Sequence, residues 1–168
     1  MLAWFTSEEK GAADRLLAAL APRLAAEGVR VAGAVQVNTE RPGRRHPDMD
    51  LRVLTGGDAV RISQDLGPFA RGCRLDPDGL ERAVALVAGA LADADLLIVN
   101  KFGKQEAEGR GFQPMIAEAL IAGLPVLIAV APSNRAAFAA FADGMGEELP
   151  GEAEALRAWC RGAVGAVV

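Results

Sequence analysis

Apolar residues fall into short runs separated by polar, glycine-bearing stretches. The spacing inside the runs alternates between two periods. Met1–Thr6 reads as a short strand. Thr6 with Glu9 three residues on has the form of a capping box, which predicts a helix opening there. Leu16, Leu17, Leu20 and Leu24 fall on one stripe of that helix, and Gly28 ends it. Val29–Val37 predicts a strand whose imperfect alternation suits burial on both faces. After a basic loop, Asn38–Asp48, the pairs Leu51/Val53 and Val60/Ile62 alternate with polar residues around Gly56-Gly57, a hairpin signal.

The second half repeats the alternation. Asp76-Pro77 starts a helix, with Asp as N-cap and Pro at its first position, and Leu80, Val84, Val87 and Leu91 form its apolar face. Asp95–Val99 is a buried strand that ends abruptly at Asn100-Lys101. A helix over Pro114–Ala122 is stopped by Gly123, and Pro125–Val130 is a further buried strand. Helices over Asn134–Asp143 and Glu152–Arg161 complete the chain.

Strands alternating with helices predict a three-layer α/β fold with a mostly parallel sheet and an inserted β-hairpin, in a single domain over residues 1–168. Ligands of such sheets bind outside the carboxyl ends of the strands. The loops Thr6–Gly11, Asn100–Phe112 and Ala131–Arg135 are expected to converge there, joined by Gln36–Asp48.

Composition narrows the function. A net charge of −4 and a pI of about 5.1 argue against nucleic acid as a partner. The longest apolar stretches, such as Leu124–Pro132, fall far short of a membrane span of ~20 residues. The N-terminus lacks a basic region followed by a long apolar run, so no signal peptide is expected and the cytoplasm is the plain location. Cys73 and Cys160 make no disulfide framework. His46 is the single histidine, which disfavours a metal site or a conventional catalytic triad.

Candidate chemistry gathers at the end of the Asp95–Val99 strand. Lys101, Lys104 and Arg110 are cations with Glu106 and Glu108 between them: an anion-binding loop, or a solvated loop that pairs with itself. Gly103, Gly109 and Gly111 allow close backbone approach or simply turn the chain. Asn100, Gln36 and Asn38 are polar groups at strand ends, suited to hydrogen-bonding a ligand or neighbouring backbone. Gln64 and Asp65 are similar. Arg41, Arg44, Arg45 and His46 form a second basic cluster that reads first as a solvated loop. Ser133 reads as an ordinary N-cap, and both cysteines read as packing residues.

This order of motifs resembles the P-loop nucleoside-triphosphatases of the THEP1 type. The resemblance implies a phosphate-cradling first loop and an Asp-Glu pair at the later strand. The first loop here, Thr6-Ser7-Glu8-Glu9-Lys10-Gly11-Ala12-Ala13, has one glycine and no hydroxyl after it. It departs from the GxxxxGK[ST] pattern that wraps phosphates and holds Mg²⁺. Two glutamates lie where a polyphosphate would lie. At an effective dielectric of ~20, a like-charge contact at ~4–6 Å costs several kcal/mol. Asn100-Lys101 replaces Asp-Glu, while Gly103, Lys104 and Glu106 keep the family's Gly-Lys-x-Glu. The strings "GCRLDP" (Gly72–Pro77) and "NKFGKQEAEGRG" (Asn100–Gly111) are similar, more closely, to a bacterial family catalogued as DUF2478. That likeness covers nearly the whole chain and implies a link to molybdenum metabolism.

The expected function is a non-hydrolytic binding protein for a small anionic or phosphate-bearing ligand. Asn100, Lys101, Gly103, Lys104, Glu106, Arg110, Gln36 and Asn38 are its expected site, with no metal. No cofactor is specified. Two alternatives stand: a nucleoside-triphosphatase with altered motifs and Glu106 as base, and a protein-interaction module. A homodimer is compatible with the sequence, which specifies no seam for one.

Overall fold

In the computed structural model, which describes residues 1–67 and 74–167, one seven-stranded sheet carries helices on both faces. Gly72 and Cys73 lie outside the described residues. The strands are β1 (Leu2–Phe5), β2 (Val31–Thr39), β3 (Asp48–Val53), β4 (Val60–Arg61), β5 (Leu96–Phe102), β6 (Val126–Val130) and β7 (Glu147–Glu148). Their order across the sheet is β4-β3-β2-β5-β6-β1-β7. From β2 to β7 every pairing is parallel, while β3 and β4 continue the sheet antiparallel beyond β2. This is the expected three-layer α/β architecture, compatible with a P-loop nucleoside-triphosphatase-like fold. The Leu51/Val60 hairpin is present and is welded onto β2 along six residue pairs, Ala34↔Val53 to Thr39↔Asp48.

The layers follow from the side-chain alternation of the strands. On one face Ala32, Leu97, Val99 and Ile128 pack beneath α2 (Pro77–Ala88), α4 (Gln113–Ile121) and α5 (Arg135–Ala142). On the other, Phe5, Ile98, Leu127 and Ala129 pack beneath α1 (Ala12–Ala26) and α6 (Ala153–Gly165). The short α3 (Lys104–Ala107) follows β5. Gly33 shows how tightly the central strands are set. Its φ is +128°, and a Cβ there would stand 2.0 Å from the Ile98 carbonyl oxygen.

Several local expectations are corrected. The first helix does not open at Thr6. It begins at Ala12 behind Gly11, whose φ of 75° makes the turn, and Thr6 instead accepts a hydrogen bond from Arg135 Nη1 at 3.0 Å. Strand β5 does not stop at Val99. It slips register between Val99 and Phe102, and Phe102 carries it on into an aromatic cluster with Phe138 and Phe141. Ser133 caps no helix: Pro132–Asn134 forms a 3-10 turn without side-chain capping. Asp76 does cap α2, accepting from the Asp78 amide. No helix among the described residues is long and apolar enough to cross a membrane.

Candidate functional site

A cavity of about 740 Å³ opens at the carboxyl ends of β1, β2 and β5. Its polar wall begins with a buried carboxylate. The tight turn at Gly11 starts α1 so that Asp14, in the first helical turn, is 6% exposed beside the strand ends. A carboxylate only accepts hydrogen bonds, and this dictates every neighbour. Asn100 turns its Nδ2 to Asp14 at 3.0 Å, and Asn38 turns its Nδ2 to the other oxygen at 3.2 Å. Both amide oxygens are then committed to a second partner. Asn100 Oδ1 accepts from the Gln36 backbone N–H at 2.8 Å, and Asn38 Oδ1 accepts from Gln36 Nε2 at 2.8 Å.

The bulge in β5 explains the role of Asn100. Backbone pairing of β2 with β5 reaches Ala34↔Val99. Past that point the Asn100 side chain supplies the acceptor for the Gln36 N–H. The four side chains close a ring, and no fully buried side-chain polar atom lacks a partner among the described residues.

The cationic groups of the cavity are Lys10, Arg45, Arg74, Lys101 and Lys104. Among the described residues only Lys104 of these meets a carboxylate, Glu108 at 4.0 Å. Arg74 donates to the Pro47 carbonyl at 3.1 Å, tying the start of α2 to the loop before β3. The apolar part of the wall is Met49, Leu51, Ile62, Leu75, Leu80 and Phe112.

Glu106 is 5% exposed and already engaged. One oxygen accepts from the Gly103 N–H at 3.0 Å and the other from the Phe112 N–H at 3.1 Å. Burial pushes its carboxyl above the ordinary range, against these two hydrogen bonds. The side chain therefore holds the ends of the loop together, and Gly111 leaves it room, since a Cβ there would meet Glu106 at 2.2 Å.

The expected site residues divide accordingly. Asn100, Lys101, Gly103, Lys104, Glu106, Gln36 and Asn38 all line the cavity. Arg110 does not: it turns back to Gln105 Oε1 at 2.8 Å and to Glu108. The loop Ala131–Arg135 also misses the cavity. Arg135 stacks over Trp4 and pairs with Glu148 at 2.9 Å. Glu8 and Glu9 do not line it either, and Glu9 pairs with Arg15 in solvent, so the expected repulsion of a phosphate by this pair does not apply to the cavity. Within the basic loop, Arg41 pairs with buried Asp48 at 2.7 Å and holds its carboxyl below the usual range. Arg45 and His46 reach the cavity. Among the described residues no group of three or more His, Cys, Asp or Glu could hold a metal.

Sequence reasoning missed Asp14, the residue around which the ring is built. The signal was present, because Asp14 falls on the buried stripe of Leu17, Ala21 and Leu24.

The family model described as "Protein of unknown function (DUF2478)" matches residues 2–159. Molybdenum import ATP-binding protein ModC 2 of Bradyrhizobium diazoefficiens is 41% identical over 149 residues. The match covers 88% of this chain and 17% of that protein, so the chain spans about a sixth of the relative's length. No solved structure matches.

Proposed function

The chain belongs to the DUF2478 family, and we propose that it is a binding protein for a small anionic or phosphate-bearing ligand, held without nucleotide hydrolysis. The observation that carries this reading is the charge balance of the cavity. Lys10, Arg45 and Lys101 line it without a carboxylate partner among the described residues, while the carboxylates of Asp14 and Glu106 are enclosed by N–H donors. Unpaired cations around a recess attract an anion strongly because the recess is poorly screened.

Hydrolysis is disfavoured by the residues themselves. Ala12 and Ala13 stand where a Walker loop places its lysine and its metal-binding hydroxyl. Lys101 stands near the strand end where a carboxylate would hold Mg²⁺, and an ammonium repels that ion. The relative's printed name, a molybdenum import ATP-binding protein, supports placing that role in molybdenum metabolism.

The test is a thermal-shift and calorimetry panel of phosphate, sulfate, molybdate, tungstate, ATP and GTP, each with and without Mg²⁺. A metal-independent anion shift that Lys101→Ala removes supports the reading. A ligand at ~100 times its Kd adds ~2.7 kcal/mol, a shift of several degrees. A nucleotide shift that requires Mg²⁺ refutes it in favour of a hydrolase.

A further inference from the structure

We propose that the anion bound here also carries an ammonium group: the ammonium meets the buried carboxylate of Asp14, the anionic end meets Lys101 and Arg45, and a hydrocarbon body lies against the wall built by β3 and α2. The inference rests on the anion-binding reading and specifies the rest of the ligand.

Asp14 carries the inference. Its side chain is 6% exposed and lines the cavity. A carboxylate buried this far is ordinarily paired with a cation or held to a metal ion. Its side-chain partners among the described residues are instead two neutral amides, Asn100 Nδ2 at 3.0 Å and Asn38 Nδ2 at 3.2 Å. The amide orientation is fixed. Asn100 Oδ1 accepts from the Gln36 backbone N–H at 2.8 Å, so only its NH₂ can face Asp14. The first turn of α1 adds a fractional positive charge and no full counter-ion. Of the cations that line the cavity, only Lys104 pairs with a carboxylate among the described residues, and its partner is Glu108. Glu106, the other buried carboxylate of the lining, has a task of its own, holding the Gly103 and Phe112 N–H groups of one loop. Asp14 therefore brings an uncompensated negative charge to a recess that is otherwise cationic, and each of its oxygens accepts one N–H and keeps a second lone pair.

The surroundings decide which positive group answers it. A metal ion needs several oxygen ligands, and the asparagine oxygens beside Asp14 are both turned to Gln36. An ammonium needs only acceptors and supplies the N–H donors that a carboxylate takes. Lys10, Arg45 and Lys101 outnumber Asp14, so the ligand carries more negative charge than positive. Size and the apolar wall supply the rest. A tetrahedral oxyanion displaces roughly two or three waters of ~30 Å³ each. A cavity of about 740 Å³ is far larger and falls in the range that encloses drug-sized organic molecules. Met49, Leu51, Ile62, Leu75 and Leu80 line it, and Met49 and Leu75 are half-buried. An inorganic oxyanion brings no positive charge to Asp14 and buries none of this surface, whereas an amine-bearing organic anion does both.

Calorimetry on the full chain at neutral pH compares O-phosphotyramine with 4-ethylphenyl phosphate, which lacks only the ammonium, and with tyramine and inorganic phosphate. The deaminated analogue has one more net negative charge, so attraction to the cations alone makes it the tighter ligand. The expected result is the opposite, with O-phosphotyramine at least tenfold tighter. Asp14→Asn should erase that preference without weakening 4-ethylphenyl phosphate, and Lys101→Ala should weaken both phosphates. The carboxyl carbon NMR resonance of Asp14 in wild type should move with O-phosphotyramine and far less with the analogue, which keeps the placement testable if Asp14→Asn fails to fold. 4-Ethylphenyl phosphate or inorganic phosphate binding as tightly as O-phosphotyramine overturns the amine-bearing ligand while leaving the anion reading intact. A preference that survives Asp14→Asn, or an Asp14 resonance that stays still, overturns the placement. Tyramine binding equal to O-phosphotyramine, unaffected by Lys101→Ala, overturns the anion reading instead. An absence of heat with all four overturns both.

Discussion

Replacing Glu106 by Gln isolates what a buried carboxylate does for the β5–α4 loop. The native side chain accepts two backbone N–H groups, from Gly103 at 3.0 Å and Phe112 at 3.1 Å. A glutamine has one acceptor oxygen and presents an NH₂ to the other N–H. One hydrogen bond, worth ~1 kcal/mol to the protonated carboxyl, is lost, and the amide NH₂ leaves the other N–H without an acceptor at a further ~1–2 kcal/mol. The net loss is about 1–3 kcal/mol at the acid end. For a chain of this size that is roughly 3–10 °C in Tm. The pH dependence separates the terms. Burial raises the folded-state pKa of Glu106 above its unfolded value. Its contribution is thus fully present below the unfolded pKa and declines as pH rises through the folded one. Urea denaturation of both proteins from pH 4 to 8 should show wild type most favoured at the acid end, the gap narrowing toward neutrality. A gap that widens with rising pH would mean that the two N–H groups outweigh burial, and would refute the reasoning.

Three further perturbations probe the frame around the cavity. Gly33→Ala should cost at least about 2 kcal/mol by chemical denaturation, because its φ is +128° and the new Cβ would stand 2.0 Å from the Ile98 carbonyl oxygen. Asn100→Leu removes the acceptor for the Gln36 N–H and a donor to Asp14, and should destabilise by ~2–5 kcal/mol; a loss under ~0.5 kcal/mol would show that the ring carries no structural weight. Cys160 is fully buried and its thiol is pushed up to about 12, so at pH 8 only about one molecule in ten thousand carries the thiolate. In a Cys73→Ser background, iodoacetamide labelling should wait for unfolding, and prompt labelling of the folded protein would contradict the packing.

Most of the layered architecture was legible because it is written in local signals. The stripe of Leu17, Leu20 and Leu24, the Asp76-Pro77 helix start and the run Val126–Val130 each report one element without reference to the rest. The cavity wall was legible at the strand ends, as at Asn100 and Gln36, and in the Gly103–Glu106 segment that follows β5. What failed were the inferences that depended on how the chain turns or packs in three dimensions. Arg110 looked available for a ligand because its bond to Gln105 depends on the turn of α3. Thr6 looked like a cap because Arg135, its actual partner, arrives from another loop. Asp14 went unread because its partners, Asn38 and Asn100, stand on two different strands. Strand β5 seemed to stop at polar residues because the pull of Phe138 and Phe141 on Phe102 is tertiary.

The way the cavity is built bears on what it can bind. The fold keeps the strand ends that in related architectures meet phosphate and metal, yet its polar residues there serve two different tasks. Asp14, Asn38 and Asn100 spend most of their hydrogen-bonding capacity on one another and on backbone, which fixes their orientations before any ligand arrives. Such a wall costs little entropy on binding, because its side chains are already ordered. Lys10, Arg45 and Lys101 are exposed side chains without partners among the described residues, and they are ordered only by what they meet. Orientation thus comes from the ring and attraction from the lysines and arginine. The acceptor that the ring leaves over, Gln36 Oε1, lies on the cavity wall at the junction of the two. A ligand that satisfies only the cations leaves that acceptor to water, and a ligand that satisfies only the acceptor leaves the cations to water. Affinity should therefore rise more than additively when both features are carried on one molecule, since the second contact is then made without a second loss of translational freedom.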